Sequence, residues 1–507
     1  MAAAAEYTEA DVAKHNQNGD CWLIIEGAVY DVSKFMAFHP GSTGIIERVA
    51  GTDCTTEFFS LHREEVLEKY ERLKIGQVKG VAPKAKKDKG ALSKVPYAEW
   101  TSPFWTDKHH KVKRAAREFV EREIMPFVDE WEKKQAYPDE LVETLAAEGY
   151  IAAALGPGPH LKLVPKLPGG VAPEDFDYFC EQIVSQEMKR TGAWALLDGL
   201  SGGTVIGAPP VMRFGSEEVR NKVVPEILSG KKRICLAITD PYAGSDVANT
   251  TCTATLSADG SHYIVKGVKK WITGGMKADY FTTLVRTGDK GHGGVSMLLI
   301  AREHGVETES IKTSYSSVAG TSFVTYDAKV PVGNLLGKEG MGFMVAMSNF
   351  NHERVAMAWG GLAQNRLVIE ECFKWAYTRR VFGKRLIHQP QIQEKLAEMI
   401  AFNESAQAWS DIVTHRMNNL SYKDQNIQLA GTISMLKNQQ VEASRVINEH
   451  AMQIFGGRGL TATGMGKKLE NFQRTFQYGS ILGGANSVLA TQAIRHALKF
   501  MPADARL

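Results

Sequence analysis

Two stretches near the middle of the chain, ITDPYAGSD at residues 238–246 and KWIT at residues 270–273, decide how the sequence divides into regions. Both lie within residues 233–335, where short apolar and β-branched runs are separated by turn signals. This pattern is typical of strands joined by tight turns. The regions on either side instead repeat apolar residues at helical spacing. The sequence therefore predicts a β domain between a helical domain at 96–232 and a helical bundle at 340–500.

A smaller unit precedes these three regions. Residues 5–79 combine short apolar runs with short helix-like stretches, which predicts a compact α+β domain. Residues 80–95 are rich in Lys and nearly devoid of large apolar side chains, so they are predicted to form a flexible basic linker. A short tail at 501–507 ends the chain. We therefore expect a multidomain protein with one small and one large folded part.

Composition argues against several classes of function. The net charge is only +3, which gives no basis for nucleic-acid binding. The six Cys residues lie far apart and form no Cys-x-x-Cys pair, which indicates a reducing compartment. No apolar run is long enough to cross a bilayer, so no membrane span is expected. No Gly-x-Gly-x-x-Gly motif follows a predicted strand, so a Rossmann dinucleotide site has no support.

The last three residues, Ala505-Arg506-Leu507, are similar to the Ser-Lys-Leu type of peroxisomal targeting signal. They predict a peroxisomal location and a peroxisomal import receptor as a partner. The alternative is a chance basic ending on a mitochondrial or cytoplasmic protein. The N-terminus lacks the basic and apolar regions of a secretory signal.

Two histidines in the small domain are candidate metal ligands. His39 is followed by Pro40-Gly41, which predicts a turn that aims the ring inward, and His62 lies 23 positions further on. Low-spin haem iron used for electron transfer takes a strong nitrogen ligand on each face. A single histidine would more often be an ordinary surface or core residue. The pair occurs together with apolar side chains suited to a cleft, at Phe35, Phe58, Phe59 and Leu61.

These residues carry a resemblance to cytochrome b5. The resemblance covers WLIIEGAVYDVSKFMAFHPGS at 22–42 and GTDCTTEFFSLHR at 51–63. It implies haem b ligated by His39 and His62. One departure is Ser42, which stands where family members usually have a second glycine.

Residues 100–500 resemble acyl-CoA dehydrogenases, and the two opening stretches are the most specific part of the match. The resemblance implies a helical domain, a β domain and a helical bundle around FAD. Backbone amides and hydroxyls suit such a ring because they bind it without adding a titrating charge. The FAD-binding residues implied in the β domain are Leu236, Ile238, Thr239, Ser245, Trp271 and Thr273. Taken singly, Trp271 would be a core aromatic and Ser245 a turn residue.

Two later segments, RRVFGK at 379–384 and QIFGGRG at 453–459, resemble parts of the family that reach the FAD of a neighbouring subunit. A guanidinium group suits phosphate oxygens, and glycines allow close backbone approach. The resemblance therefore implies a homo-oligomer, either a dimer or a dimer of dimers. The cofactor contacts that it implies are Arg379, Phe382, Gln453, Gly456 and Gly457.

The catalytic base is not at the position most members of the family use. Removal of a proton from the α-carbon of an acyl-CoA needs a carboxylate within reach. Many members place a glutamate where this chain has Gly483, and no Asp or Glu occurs between Arg474 and Ala503. A minority place it on another helix just before an arginine, which corresponds here to Glu353. The alternative is an ordinary helix acid paired with an arginine, Arg354 or Arg379.

The expected function is an FAD-dependent acyl-CoA dehydrogenase that forms a 2-enoyl-CoA and passes electrons to the fused haem. The substrate contacts implied by the resemblance are Ser245, Phe350, Arg354 and Gly483. A flavin oxidase on the same scaffold is one alternative. A non-catalytic flavin and haem module for electron transfer is another.

Overall fold

The computed structural model describes residues 5–39, 41–62, 64–81 and 100–502. Pro40, residues 82–95 of the predicted linker and the terminal tripeptide 505–507 lie outside the described residues. Within the described ranges, no helix is both long enough and apolar enough to cross a membrane.

The chain forms two compact units. The first comprises Met1–Trp100, Ile369–Glu398 and His450–Glu470. The second comprises Thr101–Val368, Met399–Glu449 and Asn471–Leu507.

The N-terminal domain is a small sheet with short helices. Its elements are β1 (Glu6–Tyr7), α1 (Glu9–Val12), β2 (Asn16–Gln17), β3 (Asp20–Ile25), β4 (Ala28–Asp31), α2 (Thr43–Glu47), α3 (Thr55–Leu61), α4 (Glu64–Lys69) and β5 (Lys74–Val78). The strand order is β1-β5-β4-β3-β2. Glu26 and Gly27 join β3 to β4 with positive φ at both positions, the geometry favoured in two-residue hairpins. Leu23, Tyr30 and Met36 contribute to the buried core beneath the sheet.

Helices also form the part of the second unit that precedes the β domain. They are α5 (Asp107–Phe119), α6 (Val128–Lys134), α7 (Glu140–Ala147), α8 (Tyr150–Ala153), α9 (Tyr178–Lys189), α10 (Trp194–Leu197), α11 (Gly203–Phe214) and α12 (Glu217–Leu228). Asp177 caps α9, because its side chain accepts hydrogen bonds from the N–H groups of Phe179 and Cys180. The Gly- and Pro-rich segment 156–170 runs between α8 and α9 and contains only short 3₁₀ turns.

The β domain follows as predicted. Its strands are β6 (Ile234–Ala237), β7 (Thr253–Leu256), β8 (His262–Ile272), β9 (Tyr280–Arg286), β10 (Val295–Ala301), β11 (Val306–Ser310) and β12 (Ser322–Pro331). The order is β10-β9-β7-β8-β12-β11, and β6 pairs in parallel with β9. The register between β8 and β12 shifts between Ser322 and Val324, because β8 has one extra residue there, which marks a bulge near the end of β8.

Helices again dominate after the β domain. The elements are α13 (Gly342–Met347), α14 (Phe350–Thr378), β13 (Arg380–Val381), β14 (Lys384–Arg385), α15 (Pro390–Asn418), α16 (Tyr422–Gln428), α17 (Ala430–Phe455), α18 (Lys467–Gly479) and α19 (Asn486–Lys499). The predicted fold class, a small α+β domain followed by helical, β and helical domains, is confirmed.

Candidate active site and cofactor-binding residues

The two predicted haem ligands face each other in the small domain. His39 follows a 3₁₀ turn at Met36–Phe38, and His62 follows the last residue of α3. Their ring centroids are 5.8 Å apart, with an angle of 57° between the ring planes. Phe58 stacks on His62 at 4.7 Å, and Phe35 meets His39 edge-on at 6.0 Å. The local fold therefore brings both imidazoles to one cleft with an aromatic lining.

Hydrogen bonds leave the same nitrogen of each ring available. Nδ1 of His39 lies 3.1 Å from the carbonyl oxygen of Ser42, and Nδ1 of His62 lies 3.3 Å from that of Phe58. A carbonyl only accepts, so each Nδ1 carries the hydrogen and each Nε2 is left as a metal ligand. Burial also lowers the pKa of His62, which favours the neutral ring that a metal requires. The residues present therefore fit a haem iron.

The turn after His39 needs the small residue at position 41. A Cβ placed on Gly41 would lie 2.8 Å from Cε1 of His39. The next residue, Ser42, has φ 74° and ψ 157°, a conformation that side chains strongly disfavour. Ser42, which replaces the usual second glycine, therefore gives a strained turn, and its carbonyl still accepts a hydrogen bond from His39.

In the β domain, the two stretches quoted first lie against each other. The N–H of Lys270 donates to the carbonyl of Thr239 at 2.9 Å. Leu236 and Thr239 are half-buried, Ile238 is buried, and Ser245 is exposed. Ile238, Thr239, Trp271 and Thr273 therefore come from two segments that are joined by a backbone hydrogen bond. Ser245 lies in the loop that follows the first segment, and Leu236 lies on β6 just before it.

Trp271 lies at the bulge of β8 with unusual geometry. Its φ is 66°, and its side chain is 48% exposed although it is a large aromatic. Nζ of Lys270 lies 4.7 Å from the centre of its ring. Strained backbone and an exposed indole beside the half-buried Thr273 are features of a ligand site rather than of a core aromatic. This surface fits the planar ring of FAD.

A buried hydrogen-bond network, which the sequence patterns did not predict, holds this loop in place. Lys269 is fully buried and donates from Nζ to the carbonyl of Ile238 at 2.7 Å and to Thr250 Oγ1 at 2.8 Å. Asp240 accepts from the Thr251 N–H at 2.6 Å and from Thr250 Oγ1 at 2.8 Å. Burial lowers the pKa of Lys269 to about 8. A lysine in a strand pattern is normally exposed, so this role follows only from the tertiary structure.

The predicted base, Glu353, is in the first turn of α14 and is 8% exposed. Nδ2 of Asn349 donates to its Oε1 at 3.3 Å. Burial raises its pKa to about 7, against the opposing effects of the Asn349 hydrogen bond and the nearby charges of Arg354 and His352. A carboxylate with this pKa is matched to proton transfer at neutral pH.

Arg354 is not bound to the neighbouring carboxylate. Its Nε donates to the carbonyl of Gly483 at 2.8 Å, and its guanidinium lies over the ring of Phe350 at 5.5 Å. Gly483 has φ 67°, and a Cβ there would lie 2.9 Å from Sδ of Met357. The structure thus brings Arg354, Phe350 and Gly483 together, and Arg354 follows Glu353 in α14. Nζ of Lys437, which the sequence analysis missed, donates to the next carbonyl, that of Gly484, at 2.9 Å.

The residues predicted to contact the FAD of a neighbouring subunit lie in the first unit. Arg379 is half-buried and Phe382 is 95% exposed, while Gln453, Gly456 and Gly457 are exposed. No heavy atom lies within 4 Å of a Cβ built on either glycine. This leaves the backbone open to a ligand.

Arg379 has a companion that the prediction omitted. The guanidinium groups of Arg379 and Arg458 lie 5.8 Å and 5.0 Å from the ring centre of Trp375. Burial and the charge of Arg379 lower the pKa of Arg458. Two guanidinium groups held close together suit a phosphate group, which is the part of FAD that the resemblance assigns here.

Comparisons with known proteins identify the families of these domains. Residues 8–79 match the model of the cytochrome b5-like heme/steroid binding domain. The N-terminal, middle and C-terminal domains of acyl-CoA dehydrogenase match residues 106–231, 235–326 and 340–498. These matches define a flavin-dependent oxidoreductase with an added haem domain.

Relatives support the same assignment. The chain is 37% identical to acyl-CoA dehydrogenase apdG of Emericella nidulans, over 82% of this chain and 97% of that protein. It is 35% identical to acyl-CoA dehydrogenase AFT10-1 of Alternaria alternata, over 79% and 95%. A crystal structure of acyl-CoA dehydrogenase from Geobacillus kaustophilus covers 78% of this chain and all of its own, with TM-score 0.68 and 27% identity. The chain belongs to the acyl-CoA dehydrogenase family, and its cofactors are FAD and haem.

Proposed function

We propose that this enzyme converts an acyl-CoA to a 2-enoyl-CoA with Glu353 as the catalytic base. The observation that carries the proposal is the buried Glu353 carboxylate, whose pKa is raised by burial to about 7. By the resemblance, Gly483 stands in the place of the usual family base. Its missing side chain lets α14 approach closely, since a Cβ there would lie 2.9 Å from Sδ of Met357. Arg354, which follows Glu353 in α14, does not neutralise this carboxylate through a hydrogen bond, because its Nε donates to the Gly483 carbonyl.

The chemistry divides between two adjacent carbons of the substrate. The α-proton passes to the Glu353 carboxylate, and the β-carbon loses a hydride, so a carbon–carbon double bond replaces two C–H bonds. When bound, FAD supplies the hydride acceptor and haem supplies a one-electron acceptor. Asn349 orients the base through its hydrogen bond to Oε1, and burial keeps water away from the carboxylate.

The test is Glu353→Gln in the full-length holoenzyme. Anaerobic stopped flow follows flavin bleaching with a butyryl-, isobutyryl-, octanoyl- and palmitoyl-CoA series. We expect the rate with the best substrate to fall roughly 10²- to 10⁴-fold, the usual contribution of a general base, with FAD content unchanged. Glu370→Gln is the matched control, because Glu370 lies on the same helix in an ion pair with Lys374. An unchanged rate in Glu353→Gln would exclude this residue as the base.

Electrons are proposed to leave through the haem domain of the same chain. Covalent attachment supports this, because a tethered acceptor has a high effective concentration. Recording the flavin and haem bands together after mixing with acyl-CoA tests it. Haem reduction should follow flavin bleaching within one turnover. A haem that stays oxidised after acyl-CoA has fully bleached the flavin under anaerobic conditions would leave the domain a docking or regulatory role.

The remaining proposals concern cellular context. We propose that Ala505-Arg506-Leu507 directs the enzyme to peroxisomes, where it serves fatty acid β-oxidation, and that it assembles as a homodimer or dimer of dimers. A fluorescent fusion ending in the native tripeptide should enter peroxisomes, and one ending in three alanines should not. Light scattering of the purified holoenzyme measures the assembly state.

A further inference from the structure

The turn at Gly483 and Gly484 is held by side chains from two different helices. Nε of Arg354 in α14 donates to the carbonyl of Gly483 at 2.8 Å. Nζ of Lys437 in α17 donates to the carbonyl of Gly484 at 2.9 Å. The two carbonyls are consecutive in the chain, so neither peptide group can rotate without losing a hydrogen bond. The turn is therefore fixed to α14 and α17 at once.

Lys437 is at a position where a lysine is costly. Its side chain is fully buried, and burial together with the positive charge of Arg354 lowers its pKa to about 8. The second acceptor of its Nζ is Oδ1 of Asn486, at 3.2 Å. Both acceptors are uncharged, and hydrogen bonds to uncharged groups offset only part of the free energy that burial of a cation costs. The contact that this lysine makes is thus with the turn and the residue that begins α19.

The turn packs against the helix that carries the proposed base. Gly483 and Gly484 have φ values of 67° and 107°, and a Cβ on Gly483 would lie 2.9 Å from Sδ of Met357. Met357 follows Glu353 by one helical turn in α14, and residues with this spacing share one face of a helix. The turn therefore lies against the face of α14 on which Glu353 is placed.

We propose that Lys437 is a positioning residue for removal of the α-proton. Together with Arg354, it clamps the turn against the face of α14 that carries Glu353. The clamped turn keeps the substrate α-carbon within reach of the base, and a misplacement of about 1 Å in such a geometry can cost on the order of 10²-fold in rate. Lys437 acts through the turn and takes no part in the proton transfer itself. The inference rests on the proposed function, with Glu353 as the base.

Lys437→Met tests the proposal, because it keeps a side chain of similar length and removes the hydrogen-bond donor. The flavin reduction rate of the full-length holoenzyme should fall about 10- to 100-fold, while the acyl-CoA concentration that gives half the maximal rate should change by less than about three-fold. Lys437→Arg, which keeps a donor, should restore the rate to within about five-fold of wild type. Anaerobic stopped flow over a range of acyl-CoA concentrations measures both quantities.

A second measurement isolates the proton-transfer step from the rest of the reaction. A 3-thia-acyl-CoA has an α-proton that the base can remove, but the sulfur atom at its β-position has no hydride to transfer. Exchange of its α-hydrogens with D₂O, followed by mass spectrometry, therefore reports the base and the placement of the α-carbon alone. The exchange rate should fall about 10- to 100-fold in Lys437→Met, in parallel with flavin reduction.

Asn438→Leu is the matched control, because Asn438 is the next residue of α17. Its Nδ2 donates to the carbonyl of Asn486 at 2.8 Å, which anchors the start of α19 and not the turn. This variant should lower the melting temperature and keep the flavin reduction rate within about two-fold of wild type. A loss of rate equal to that of Lys437→Met would assign the effect to loosening of the whole region and would overturn the positioning role.

The outcomes separate a failure of this inference from a failure of the proposed function. A wild-type flavin reduction rate in folded, FAD-loaded Lys437→Met, alongside an inactive Glu353→Gln, would overturn the positioning role and leave the base intact. If Lys437→Met does not load FAD, Gly484→Ala displaces the same turn with Lys437 in place, because a side chain disfavours φ 107°. A wild-type rate in that variant would overturn the positioning role as well. Wild-type rates in Glu353→Gln would overturn the proposed function and this inference together.

Discussion

Ser42 has a backbone conformation that is normally reserved for glycine, with φ 74° and ψ 157°. Such strain costs on the order of 1–3 kcal/mol when a side chain is present. We therefore predict that Ser42→Gly raises the free energy of unfolding of the haem domain by about 1 kcal/mol. The gain is smaller than the full strain energy because glycine also increases the conformational entropy of the unfolded chain. The loss of the haem absorption band in urea measures this in the full-length protein.

Ser60→Gly provides the opposite control for that prediction. Ser60 lies in α3, where glycine is less favourable than other residues, so stability should fall by roughly 0.5–1 kcal/mol. Equal losses in both variants would show that the turn at Ser42 is not strained.

Glu353, the proposed base, illustrates how burial of a carboxylate reduces stability. Burial raises its pKa to about 7, above the ordinary value of 4.5 that holds in the unfolded chain. Between these values the folded state binds the extra proton, so stability falls as pH rises through this window and stays low above pH 7. We predict that Glu353→Gln raises the free energy of unfolding at pH 8 by up to about 3 kcal/mol, with little gain below pH 4.5.

Thermal or urea unfolding at pH 4.5, 6 and 8 measures this dependence. Glu370→Gln, which removes an acid from a side-chain ion pair on the same helix, should show no comparable gain at pH 8. A gain in Glu353→Gln that did not vary with pH would assign the effect to packing and not to the charge.

At the scale of elements, the loop after β6 owes its shape to one lysine from β8. Lys269 binds the Ile238 carbonyl and Thr250 Oγ1 from a fully buried position. We predict that Lys269→Met costs about 2–3 kcal/mol of stability, because hydrogen bonds from a buried cation are lost. FAD should also bind more weakly, since the loop carries Thr239 and Ser245.

Melting temperature and fluorescence of released FAD measure both effects. Lys266→Met is the control on the same strand, since Lys266 is exposed and its ion pair with Asp327 spans 3.6 Å. It should change stability by less than about 0.5 kcal/mol. Tight FAD binding in Lys269→Met would mean that the loop keeps its shape without the lysine.

How much of the site could be predicted from the sequence depended on how far apart in the chain the contacting residues lie. His39 and His62 belong to one small domain, with a turn motif and aromatic residues between them, so their meeting could be expected. The strands of the β domain follow from local apolar patterns and turns. Lys269 acquires its role from a distant partner, Ile238, and no periodicity encodes such a contact. The hydrogen-bond partners of buried charged side chains were therefore the part of the site that sequence patterns could not predict.

At the scale of the whole molecule, two cofactors are carried on one chain. Covalent attachment would make the proposed electron transfer between them an intramolecular event, with an effective concentration in the millimolar range for a short flexible tether. An untethered haem domain at micromolar concentration would meet the flavin domains far less often. The predicted linker, residues 80–95, is therefore expected to set the rate of haem reduction through its continuity rather than through its specific sequence.

This can be tested by placing a specific protease site within residues 80–95 and comparing intact and cleaved enzyme. In the intact protein, haem reduction after mixing with acyl-CoA should be independent of protein concentration. After cleavage, we predict a rate that is proportional to concentration and about 10²- to 10³-fold lower at 1 µM, while flavin bleaching is unchanged. A control with scrambled linker residues of the same length should behave like the intact enzyme. Concentration-independent transfer after cleavage would show instead that a stable non-covalent contact, and not the tether, keeps the haem in place.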